Sequence, residues 1–110
     1  MKVSELAEKT GLKALTTCEK DKEIEGVYIS DMVSDIITGA QAGGLLVTLQ
    51  THKSLIAAAN LVDVAAVVFV RGKKPADDVV GLAKKAGIGL FVANADTWTF
   101  AKTLMEIGIR

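Results

Sequence analysis

Residues Ala65-Ala66-Val67-Val68-Phe69-Val70 form an apolar run with no polar alternation. A strand that faces water on one side alternates apolar and polar residues. A run without alternation therefore suits a central strand covered on both faces, as in a parallel sheet flanked by helices. Leu45 to Leu49 precedes it and Ile88 to Val92 follows it in the same character. Each run gives way to a polar turn and then to residues with helical periodicity, so the chain reads as repeated strand-to-helix units.

The helices between the runs have recognisable ends. Met32, Val33, Ile36 and Ile37 fall on one face of a segment opened by Ser30-Asp31, with Asp31, Ser34, Asp35 and Thr38 on the other. A second helix spans about Lys53 to Leu61. A third follows Pro75, placed as a first helical residue, with Asp77 and Asp78 in a first turn that favours negative charge. Its buried stripe is Val79, Leu82, Ala83 and Ala86, and Gly87 ends it. Asp96 is positioned to cap a last helix running to about Ile107, with Phe100, Ala101, Leu104 and Ile107 inward. Ahead of these units, Ser4 to Gly11 reads as a short helix capped by Ser4 and closed by Gly11. It resembles the opening helix of a helix-turn-helix reader, but no basic recognition helix follows. Leu12 to Thr17 is extended, an added strand suited to a sheet edge, and Glu19 to Glu23 is a charge run that reads as a solvated loop.

From Gly26 onward the order is β-α-β-α-β-α-β-α, starting with the short strand Gly26 to Ile29. Strands joined through helices run parallel, so the expected fold is a three-layer α/β/α sandwich with a mostly parallel sheet. The 110 residues suit one domain, 1–110. Lysine plus arginine and aspartate plus glutamate both number 13, so no net charge draws the chain to nucleic acid or an anionic membrane. No apolar stretch is long enough to span a membrane, and no signal peptide is evident at the start. The single cysteine, Cys18, allows no internal disulfide and fits a reducing cytoplasm.

Parallel strands bring their carboxyl ends to one edge, where ligands of open α/β sheets bind near a reversal of strand order. That edge collects Ser30 and Asp31, Gln50, Thr51 and His52, Arg71 and Gly72, and Asp96 and Thr97. Hydroxyl, amide, imidazole and guanidinium groups there, beside helix amino termini, suit a small anion or nucleotide. No catalytic constellation is assigned. One histidine builds no histidine metal cluster; Cys18 with His52 is the only thiol–imidazole pair available, and nothing in the sequence sets them together. Asp31 and Asp35, four apart on one helix face, are the only candidate cation pair. Gly87-Ile88-Gly89 lacks the spacing of a dinucleotide loop, and Gly72-Lys73-Lys74-Pro75 is not a nucleotide-kinase phosphate loop. No metal or cofactor is therefore assigned. The alternative is a small phosphotransferase using Asp31, Asp35 or His52. Leu55 to Ala59, continued by Leu61 and Val62, is apolar almost all round, which leaves an apolar outer face and suggests a homodimer.

Gly26-Val27-Tyr28-Ile29-Ser30-Asp31-Met32-Val33-Ser34-Asp35, Leu46 to His52, Ala66 to Pro75 ending in Gly-x-x-Pro, and Ala93-Asn94-Ala95-Asp96-Thr97-Trp98 stand in an order that resembles the DRTGG domain family. That family is related to the amino-terminal domain of HPr kinase/phosphorylase, and the likeness covers Gly26 to Arg110. Where many members have Thr-Gly-Gly before the proline, this chain has Val70-Arg71-Gly72. Where some have an acidic-basic pair after the second strand, it has Thr51-His52. The resemblance implies the α/β/α fold and a non-catalytic regulatory, dimerising module. Small stand-alone members resemble accessory proteins of redox enzymes such as iron-only hydrogenases, so a redox-enzyme partner is implied as well.

Overall fold

A computed structural model describes residues 1–18 and 20–109. In chain order the elements are α1 (Val3–Thr10), β1 (Lys13–Ala14), β2 (Val27–Ile29), α2 (Val33–Gly39), β3 (Leu45–Thr48), α3 (Lys53–Val62), β4 (Ala66–Phe69), α4 (Asp77–Ala86), β5 (Gly89–Val92) and α5 (Thr97–Glu106). The apolar runs at Leu45, Ala66 and Gly89 are strands, and β3 and β4 are buried at every position.

The five strands lie in the order β1-β5-β4-β3-β2. β2 to β5 are mutually parallel, and β1 is an antiparallel edge strand with Lys13 opposite Val92. The sheet is thus the middle of the expected α/β/α sandwich. Its strand order never reverses, however: β2, β3, β4 and β5 are laid down side by side in sequence. Right-handed crossovers in one direction put every connecting helix on the same face. Accordingly Ile36 of α2, Leu55, Ile56, Ala58 and Ala59 of α3, and Val79 and Ala83 of α4 share one core with Leu46, Val67, Phe69 and Leu90. Val3 and Leu6 of α1, Phe100 and Leu104 of α5, and Ile109 cover the opposite face over Leu45, Val47, Val68 and Phe91.

This layering explains the composition of α3. It lies between α2 and α4, so it meets neighbours on both flanks as well as the sheet below. Leu55, Ile56, Ala58 and Ala59 are buried, and its outer face carries exposed Lys53, Ala57, Asn60 and Leu61. Apolarity nearly all round is what a central helix of a layer requires, and it does not by itself call for a second chain.

Local details depart from the sequence reading at several helix starts. Lys2 is the N-cap position of α1, and Ser4 lies inside the helix. The carboxylate of Asp21 accepts the Ser4 N–H at 3.0 Å and the Ser4 hydroxyl at 2.6 Å. These bonds hold its carboxyl below the usual range. The charge run is therefore a fastening: Lys22 reaches Asp63 at 3.1 Å, and Glu23 bridges to Lys2 in backbone register. Glu19 lies outside the described residues. Pro75 precedes α4 by two positions, because Ala76 stays extended at φ −66°, ψ 160° and the helix begins at Asp77. Gly11 and Gly87 end α1 and α4 in the left-handed conformation, as read.

Candidate functional site

The parallel ladder carries the ends of β2 to β5 to one edge of the sheet. At the end of β2, Ser30 Oγ accepts the Met32 N–H at 3.2 Å. Met32 occupies the N-cap position of α2, so Asp31 precedes the helix instead of opening it. Asp31 turns back to β3, where its carboxylate accepts the Leu49 N–H at 2.7 Å and the Thr48 hydroxyl at 3.1 Å. The Asp31–Asp35 pair on one helix face therefore does not form. Asp35 instead accepts the Tyr28 hydroxyl at 2.9 Å, which raises the Tyr28 pKa. Among the described residues no group of three His, Cys, Asp or Glu is arranged to hold a metal ion.

The turn from β3 into α3 is a relay of side-chain acceptors. Thr48 Oγ1 accepts the Gln50 N–H at 3.0 Å, and Gln50 Oε1 accepts the His52 N–H at 3.1 Å. His52 Nδ1 accepts the Ser54 N–H at 3.1 Å and lies 3.0 Å from the Ser54 hydroxyl, so His52 is the N-cap of α3. A ring nitrogen that accepts an amide proton carries none itself. The neutral ring therefore has its proton on Nε2, which leaves that N–H as a donor on the exposed side. Gln50 and Thr51 are half-buried, and His52 is exposed.

At the end of β4 the chain turns tightly. Arg71 and Gly72 both have positive φ, 58° and 65°. The Lys73 N–H closes the turn on the Val70 carbonyl at 3.2 Å, and the Arg71 and Gly72 N–H groups reach the Ala95 and Ala93 carbonyls at 2.8 Å each. Two successive left-handed residues are what a Gly-Gly pair supplies without strain. Arg71 occupies the first of them with a side chain that projects into solvent and, among the described residues, forms no ion pair. At the end of β5, Asp96 caps α5 by accepting the Thr99 N–H at 2.8 Å. That bond holds the Asp96 carboxyl below the usual carboxylate range, and the charge of Arg71 adds to the effect. Thr97 is the first residue of α5 and half-buried.

The nominated residues thus share one edge but divide into two groups. Asp31, Gln50 and His52 lie over β2 and β3; Arg71, Gly72 and Asp96 lie over β4 and β5. The Val70 N–H to the Thr48 carbonyl, 3.1 Å, joins them. Three strand spacings separate Ser30 from Thr97, about 14 Å, which is the length of an extended nucleotide and not of one phosphate. Because strand order never reverses, no crevice of the switch-point kind opens between the groups. The concavity at this edge is at its β5 end, a cleft of about 300 Å³ whose lining includes Thr10, Lys13, Asn94 and Thr103. Thr10 and Lys13 come there because β1 pairs with β5, a non-local contact that no local sequence signal reveals.

Cys18 is elsewhere. Its Sγ lies 3.6 Å from the Ala65 carbonyl, at the amino-terminal end of β4, and against Gly89, where an added Cβ would approach it to 2.5 Å. Burial raises the thiol pKa, which suppresses the reactive thiolate. A whole strand length separates it from His52, so the thiol–imidazole pair does not exist.

An open, mostly parallel α/β/α sandwich with polar side chains along one strand-end edge is the class that this geometry defines. The chain belongs to the DRTGG domain family, whose model matches residues 5–107. Among solved structures it is similar to the CBS and DRTGG domains of the regulatory region of Clostridium perfringens pyrophosphatase, complexed with the activator diadenosine tetraphosphate. That likeness has a TM-score of 0.77 at 18% identity and covers 91% of this chain and 44% of that one. The chain thus spans less than half of that regulatory region. A comparison with curated protein sequences finds no significant match. Among the described residues no helix is long and apolar enough to cross a membrane.

Proposed function

We propose that residues 1–110 form one non-catalytic regulatory module, homodimeric and cytoplasmic, that binds a small anionic or nucleotide ligand along the strand-end edge. The observation that carries this reading is Arg71, an arginine held at φ 58° in a turn built for glycine. Backbone strain of this kind persists where the side chain has a use, and here it presents an exposed guanidinium at the strand-end edge, near Asp96 at the start of α5 and one strand over from the turn that carries His52. The nucleotide bound by the Clostridium perfringens relative supports adenine nucleotides and polyphosphates as the first ligands to try. Catalysis is disfavoured because the carboxylates of Asp31 and Asp35, and Nδ1 of His52, are each committed to a structural hydrogen bond on a different element.

The test is thermal denaturation with AMP, ADP, ATP, diadenosine tetraphosphate and pyrophosphate. A ligand at 100 times its dissociation constant adds about 2.7 kcal/mol, a rise of several degrees in a domain of this size. The rise is expected to vanish in Arg71→Ala and His52→Ala. Unchanged melting across the panel would remove the ligand reading and leave protein docking, for which the exposed apolar side chains of α5, Trp98 and Met105, are the favouring observation. A redox-enzyme subunit of the hydrogenase type is then the partner class to try.

A further inference from the structure

Two edges of the sheet are open, and they differ. β1 is two residues long, exposed, and carries Lys13, a charge of the kind that discourages strand addition. β2, at the other edge, reads Val27-Tyr28-Ile29 and carries no charge or proline. Its outward groups follow from the ladder. The Gly26 carbonyl accepts from Leu45 at 2.8 Å, and the Ser30 N–H donates to Val47 at 3.2 Å, so both face β3. Alternate residues face the same neighbour, which turns the N–H and C=O of Val27 and Ile29 away from the sheet.

Beside this edge runs an apolar groove lined by Val27, Ile29, Ala101, Leu104, Met105 and Ile109. The outer stripe of α5 continues it at helical spacing, through Trp98, Ala101 and Met105. Trp98 is 74% exposed, Met105 73% and Ile29 46%. These three side chains alone leave roughly 400 Å² of apolar surface in water, about half of the ~800 Å² that each partner of a standard interface buries. On the outer face of α3, by contrast, Leu61 is the one large exposed apolar side chain.

We infer that this edge and groove are the homodimer interface, occupied by the same surface of a second copy through a two-fold axis at Tyr28. The occupant is a copy of this chain because the surface is complementary to itself. An antiparallel approach of β2 to its copy sets Val27 opposite Ile29 at both ends, so all four outward N–H and C=O groups of one strand meet their counterparts. The same axis lays α5 against α5, apolar stripe to apolar stripe. The stripe of Trp98, Ala101 and Met105 and the facing Ile29 carry no charge, so an isologous contact sets no like charges against each other across its centre. The product is a continuous ten-stranded sheet. This inference rests on the homodimer part of the proposed function and names its surface.

The experiment is sedimentation velocity of the full chain from 1 to 100 µM, paired with emission of Trp98, the only tryptophan. The expected wild-type result is a dimer whose emission shifts to the blue as concentration rises. Met105→Glu, on an exposed helix position, and Ile29→Pro, which deletes an outward N–H, are each expected to weaken the dimer at least about tenfold. Leu61→Glu should leave it intact. A wild-type chain monomeric at 100 µM overturns both the homodimer and the surface. A dimer that survives Met105→Glu and Ile29→Pro overturns the surface alone, and the homodimer then stands with another interface.

Discussion

Replacing Arg71 by glycine should stabilise the fold while abolishing ligand binding. A side chain in the left-handed conformation costs about 1–2 kcal/mol relative to the right-handed one, and Arg71 sits at φ 58°. Glycine removes that penalty but gives the unfolded chain more freedom, an opposing effect of about 0.4–1 kcal/mol. The net gain is about 0–1.6 kcal/mol with a midpoint of ~0.8 kcal/mol, which at the midpoint is a rise of roughly 3–6 °C in melting temperature. The lost attraction to Asp96 lies in solvent, where screening keeps it from deciding the sign. Arg71→Ala keeps the strained φ and deletes the guanidinium, so it should lose binding without the gain. Thermal and urea denaturation of the three proteins, with and without the best nucleotide of the panel, separate the two effects. A glycine variant less stable than wild type, or an alanine variant as stable as glycine, would refute backbone strain as the cause.

Gly89→Ala should destabilise by about 1–3 kcal/mol through overpacking, because the new Cβ meets Cys18 Sγ at 2.5 Å and Phe91 Cε2 at 3.2 Å. Without that clash alanine in a strand would stabilise by about 0.5–1 kcal/mol, so the sign decides, and a Cys18→Ala background should recover part of the loss in a double-mutant cycle. Acid should weaken the caps at Asp21 and Asp96, whose folded carboxyls titrate below their ordinary value of 3.8. A depressed folded pKa contributes stability above the unfolded value that is lost as pH falls through the folded one. Urea denaturation from pH 5 to pH 2 should therefore fall less steeply for Asp96→Asn than for wild type, while the two match near neutrality because asparagine also caps.

The strands and most helix ends were legible because they answer to local rules. Unalternating apolar runs have only one comfortable place in a small α/β protein, and Gly11, Gly87 and Asp96 carry the chemistry of a helix end. Non-local facts were not legible. Asp31 looks like a helix opener, yet its carboxylate is held by the end of β3, which sits beside it only after the sheet forms. α3 looked too apolar for a helix with a free outer face because the helices that cover its two flanks were invisible from its own sequence. The rim residues were correctly read as sharing one edge, since parallel strands force that. Their division into two groups depends on strand order, which periodicity does not encode.

The unbroken succession β2-β3-β4-β5 also sets an order of assembly. After β2, each strand finds its template in the one made just before it, across a single helix, so the sheet can extend as the chain lengthens with only short loops to close. β1 is the exception. Among the described residues its strand partner is β5, the last strand made, so β1 cannot pair until β5 is in place. β1 is then the last strand to join the sheet. Thr10 and Lys13, which line the cleft at the strand-end edge, arrive with it, so that the cleft is completed only when the sheet is.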